Sequence, residues 1–139
     1  MSSRSKSRKR ALDALYASGI RNSDAMDLLQ ETASGIADRQ NQAAIFDYAE
    51  AIVVGVTGNL AQIDNDLRQI SDGWSLERMP NVDRSILRLG AWEILFNDDV
   101  PNEVAIAEAV SLAGEYSTDD SPKFINGVLA RLAKGTQAL

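Results

Sequence analysis

Apolar residues recur along this chain at helical spacing almost from end to end, and no stretch alternates as a strand would. Ala11, Leu12, Leu15 and Tyr16 form a first stripe, which predicts a helix over residues 4–17 with Gly19 as its terminator. Met26, Leu29 and Ala33 mark a second helix beginning at Asn22 or Ser23; residues 34–41 lose the periodicity and read as a loop. The longest periodic run follows. Ile45, Ala49, Ile52 and Val56 step by four, three and four, and Leu60, Ile63, Leu67 and Ile70 by three, four and three. Gly58-Asn59 divides this run into two helices, and Asp72-Gly73 ends it. After a connector over residues 74–80, Asn81 caps a helix reaching Phe96, with Ile86, Leu87, Gly90, Ile94 and Leu95 inward and Asp83, Arg84, Arg88 and Glu93 on polar faces. Small residues at Ala49, Gly55 and Gly58 permit close helix approach.

Two further helices complete the pattern. Pro101 stands at the start of the first, where a missing N–H costs nothing. Ser121-Pro122 repeats the device after an acidic turn. Phe124, Ile125, Val128, Leu129 and Leu132 then share one face, and Lys134-Gly135 ends the helix. The expectation is an all-α, compact bundle of about seven helices forming a single domain over residues 1–139.

Composition narrows the chemistry. The chain contains neither cysteine nor histidine. That removes thiolate chemistry, disulfides, the commonest general base and the commonest metal ligand together. No apolar run approaches the roughly 20 residues needed to span a bilayer, and no apolar segment follows the basic start, so a cytoplasmic protein is expected. The net charge is −6, yet Arg4, Lys6, Arg8, Lys9 and Arg10 fall in the first ten residues without an acid, leaving −11 for the remainder. A basic arm on an acidic body can grip a few phosphates at one place but cannot coat a polyanion.

The close carboxylates (Asp64 with Asp66, Asp98 with Asp99, Asp119 with Asp120) sit at helix ends, turns or polar faces, where capping explains them. The glycines follow no strand and precede no Gly-Lys-Ser/Thr, so they do not form a phosphate loop. Trp92 reads as core. The combination that carries binding chemistry is the basic arm, Tyr16, and the start of the last helix. There Lys123 and Phe124 offer a charge, a stacking surface and free backbone N–H groups; Phe124 can equally be read as core, beside Ile125 and Val128.

These residues also carry a resemblance. Asp83-Arg84-Ser-Ile-Leu-Arg88-Leu-Gly-Ala-Trp-Glu93-Ile-Leu, Val100-Pro101-Asn-Glu-Val-Ala-Ile-Ala-Glu108-Ala, Asp120-Ser-Pro-Lys-Phe124-Ile-Asn126-Gly-Val-Leu and Arg10-Ala-Leu-Asp-Ala-Leu-Tyr16 resemble, in order and spacing, four motifs of the NusB family of transcription antitermination factors. The resemblance implies an all-helical fold with an N-terminal three-helix half and a C-terminal half, no catalysis and no cofactor. It also implies binding of boxA RNA from ribosomal RNA operon transcripts jointly with the ribosomal protein NusE, helping RNA polymerase resist termination. Carried over by position, Arg4, Lys6, Arg8, Lys9 and Arg10 would meet phosphate. Asp120, Lys123 and Phe124 would lie on the RNA edge, and Tyr16 and Asp83 would face NusE. Some members form homodimers that cover the RNA surface. Ala107 departs from the family's usual Asn, which puts one packing hydrogen bond in question. Two rival readings are a detached RNA-binding domain of an rRNA methyltransferase and a helical protein–protein adaptor without an RNA role.

Overall fold

The computed structural model describes residues 2–36, 40–71 and 75–137. Seven α-helices run α1 (Ser3–Arg21), α2 (Ala25–Ser34), α3 (Ala43–Gly58), α4 (Leu60–Ile70), α5 (Asn81–Phe96), α6 (Asn102–Tyr116) and α7 (Ser121–Gln137). Short 3₁₀ turns at Gln40–Gln42 and Leu76–Arg78 interrupt the connectors. The expected terminator Asp72-Gly73 and Trp74 lie outside the described residues. Among the described residues there is no strand, and no single helix is long and apolar enough to cross a membrane.

Local chemistry explains most of the boundaries. The Ser2 hydroxyl accepts the Ser5 N–H at 3.1 Å and starts α1 at Ser3, one residue earlier than the periodicity indicates. Asp24 accepts the N–H groups of Met26 and Asp27 and starts α2. The end of α1 differs from expectation. Gly19 lies inside the helix, and the chain turns at Asn22, whose φ of 52° is the left-handed conformation that asparagine tolerates. Gly19 serves a different purpose: a Cβ there would fall 2.7 Å from the Asn81 side chain, which donates to the Tyr16 carbonyl at 3.3 Å. Asn81 therefore ties α5 to α1 from the first position of its helix, and Pro80 occupies the cap. Likewise Pro101 is the cap residue of α6 rather than its first helical residue, and α7 runs past Lys134-Gly135 to Gln137.

The core is centred on α5, which packs against α1, α3, α4, α6 and α7. Ile86, Leu87 and Leu89 are essentially inaccessible, and each contributes about 1.5–3 kcal/mol by burial. Two glycines let α5 come close to its neighbours. A Cβ on Gly55 would meet the Trp92 indole at 2.0 Å, and one on Gly90 would meet Leu129 at 2.6 Å. Gly58 faces open space and marks only the 75° bend between α3 and α4. Arg88, which has no acid on its own helix face, makes a two-pronged bond to Asp64 of α4 at 2.8 and 2.9 Å.

Candidate nucleic-acid interface

The basic start of the chain is not a loose arm. Residues 3–10 form the first turns of α1, which lies against α3, α5 and α6. Its five cations have separate fates. Arg8 is 2% exposed and Glu93 of α5 is fully buried; the guanidinium Nε donates to both carboxylate oxygens at 3.0 Å. Glu108 of α6 adds a contact at 3.4 Å, and the Tyr48 hydroxyl donates to Glu93. Burial alone would lower the Arg8 pKa, but the bond and charge of Glu93 reverse this and raise it. Burial and the Glu93 bond likewise raise the Tyr48 phenol. Arg8 is thus committed to the interior and cannot meet a phosphate on the surface, which corrects the expectation from sequence. Glu93 is corrected with it. Its place seven residues after Ile86 and three after Gly90 puts it on the inward stripe of α5, a signal present in the spacing.

The other cations stay at the surface. The Arg4 guanidinium lies 4.4 Å from the centroid of the Tyr48 ring, and that of Arg10 lies 5.5 Å from Phe46. Lys9 donates to Glu115 at 2.8 Å, and this bond raises its pKa. Lys6, Lys9, Arg10 and Asp13, at steps of three, four and seven, share one face of α1 and line a concavity of about 370 Å³. The opposite wall carries Gln42, Ile45 and Tyr116.

A second concavity, of about 270 Å³, opens where α7 begins. Phe124 and Asp120 line it together with Met79, Pro80, Thr118 and Ser121. Asp120 and Lys123 are exposed; Phe124 is half-buried and packs against the core, so it is both wall and core edge. Asp83, expected on the partner-facing surface, is 5% exposed at the floor of this concavity. It accepts hydrogen bonds from the hydroxyls of Ser117 and, at 3.0 Å, Ser121. The Ser121 hydroxyl therefore fastens the α6–α7 turn to α5. Asp83 acts by holding that turn and cannot offer its carboxylate to a docked protein. Tyr16 is different, being 39% exposed beside Ile20, which is 60% exposed. Together they give the C-terminal half of α1 an apolar outer face. Ala107, where a hydrogen bond was in question, is exposed on α6 opposite Ser5 and Lys9, so the core does not register the change.

The structure thus brings Asp120, Lys123 and Phe124 together at one end of α7, and Lys6, Lys9 and Arg10 together on α1. The α6–α7 turn lies between the two groups, with Tyr116 at one side and Thr118 at the other. Among the described residues no group of three or more carboxylates is placed to hold a metal ion.

Comparison with known proteins places the arrangement in a family. The profile described as the NusB family matches residues 5–134. The transcription antitermination protein NusB of Nocardioides sp. is 45% identical over 139 residues, covering 100% of this chain and 99% of that protein. Among solved structures, T. maritima NusB superposes with a TM-score of 0.85 at 36% identity, covering 94% of this chain and 90% of that one. A chain from the crystal structure of the antitermination factors NusB and NusE in complex with dsRNA superposes with a TM-score of 0.83 at 26% identity, covering 97% of this chain and 98% of its own. With sequence and fold matched along nearly its whole length, this chain belongs to the NusB family.

Proposed function

We propose that this chain is a transcription antitermination factor. It holds boxA RNA of ribosomal RNA operon transcripts jointly with NusE, as part of an RNA polymerase antitermination complex. The observation that supports this reading is the pairing of a cationic face on α1 with an aromatic and cationic start of α7, on either side of one turn. Single-stranded RNA is read by stacking splayed bases on aromatic rings while basic groups hold the backbone. NusE would dock on the exposed Tyr16–Ile20 face of α1, close to Asn81. The chain acts as one binding unit in the cytoplasm, where the nascent transcript is, and without a cofactor. It works as a binder rather than an enzyme, as the family resemblance implies, and the lack of histidine and cysteine removes the commonest general base and thiolate chemistry.

Four cations, Arg4, Lys6, Arg10 and Lys123, remain for phosphate once Arg8 is buried and Lys9 is shared with Glu115. On an otherwise acidic body this gives modest affinity alone, and NusE supplies further contact surface. The test is a titration of boxA RNA and a scrambled control with and without NusE, with the oligomeric state monitored alongside. We expect NusE to tighten boxA binding by at least tenfold, about 1.4 kcal/mol. The salt slope without NusE should lie near −3, from about 0.7 per phosphate contact. Equal affinity for the scrambled RNA, or no gain from NusE, would overturn the reading; no binding of either RNA would favour the plain adaptor.

A further inference from the structure

Tyr116, the last residue of α6, is 42% exposed. It takes no part in the core, and its neighbours are the charged side chains of Lys9 and Glu115. It stands instead at the wall of the α1 concavity, where the Lys9 ammonium lies 6.0 Å from its ring centroid. Lys6, Arg10 and Asp13 line the same space, and Glu115, outside its lining, is bonded to Lys9. Three cations against two carboxylates leave a single net positive charge. That balance suits one phosphate group rather than a continuous run of backbone. An exposed ring next to a site for one phosphate is the arrangement that a single nucleotide unit requires, because a stacked base carries its phosphate at its side.

We propose that Tyr116 is a stacking platform for one base of the bound RNA strand, with Lys6 and Arg10 holding that nucleotide's phosphate. This rests on the RNA-binding reading above and adds to it a second aromatic contact, on the other side of the α6–α7 turn from Phe124. Tyr116 and Thr118 are two residues apart, at most about 7 Å along an extended chain, so a strand crossing the turn reaches both concavities. The turn itself is held in place by Asp83 through Ser117 and Ser121, which sets the two rings at a constant separation before RNA arrives.

The experiment uses the intact protein and a short boxA RNA carrying 2-aminopurine at successive positions, read by fluorescence quenching. Wild type should quench strongly at two distinct positions. Tyr116→Leu keeps apolar bulk but removes the π face. It should abolish one of the two quenches and weaken binding at least fivefold, the low end for loss of one base–aromatic stack. Tyr116→Phe should bind within about twofold of wild type and retain both quenches, which guards against a misfolded leucine variant. Phe124→Leu should remove the other quench. If Tyr116→Leu binds like wild type with both quenches intact while Phe124→Leu loses its own, the Tyr116 platform is wrong and the RNA reading stands. If wild type does not bind the RNA at all, both fall.

Discussion

Replacing Arg8 by methionine tests whether the most buried cation of the basic segment belongs to the fold or to the RNA surface. Methionine fills much of the volume and removes the charge. Glu93, fully buried, would then keep only the Tyr48 hydroxyl as a donor in place of the guanidinium held at 3.0 Å. Breaking a buried pair by removing one partner costs about 3–5 kcal/mol, because the remaining charge is left uncompensated. The Glu108 contact, at 3.4 Å and 27% exposed on that side, adds little. At this chain length such a loss lowers Tm by roughly 10–20 °C and moves the urea midpoint by about 2 M.

The double variant Arg8→Met/Glu93→Leu provides the internal check. It removes both charges, and the Tyr48 hydroxyl still accepts from Asn97 at 3.1 Å. It should recover most of the single variant's loss, since apolar replacements of buried pairs are often neutral. RNA affinity of the single variant, measured well below its Tm, should stay within about twofold of wild type. The reasoning is refuted if Arg8→Met costs under 1 kcal/mol in urea while RNA affinity drops, for then Arg8 serves the nucleic acid and not the bundle.

Two other outcomes are expected. Gly55→Ala should lower Tm, by at least the roughly 1–3 kcal/mol of an overpacked core, since its Cβ would overlap the Trp92 indole, whereas Gly58→Ala, facing open space, should be neutral or stabilising by up to about 1 kcal/mol; equal melts for the two would refute the close approach of α3 to α5. The Glu77 carboxyl, held by the Ser75 hydroxyl and then by Arg68, should titrate at about 2 instead of 4.5 when followed by NMR. With a depressed folded-state pKa, its contribution is complete above the unfolded value and disappears as pH falls through the folded one; Arg68→Ala should move the midpoint upward, and an unmoved midpoint would show that Arg68 plays no part.

Helical spacing alone determined the number, order and approximate limits of the seven helices, because apolar positions at steps of three and four can be buried along one face and nowhere else. It also indicated the break at Gly58-Asn59 and the apolar face of α7, both properties of neighbours along the chain. The family motifs lie in those same local stretches, so they too were legible. What spacing could not decide was which polar residues turn inward. Arg8 and Lys9 are adjacent in sequence; one is sealed against Glu93 and the other reaches solvent, because the positions of α5 and α6 decide which side of α1 is covered. Asp83 looked like a first-turn surface acid, yet the α6–α7 turn folds over it and converts it into an internal acceptor. Tyr116 gave no local signal at all. It faces the cations of α1 only because side chains of α1 and α6 meet, more than 100 residues apart along the chain. The elements were written in local periodicity, and the site was made by long-range packing, which brings together residues that no window of sequence contains.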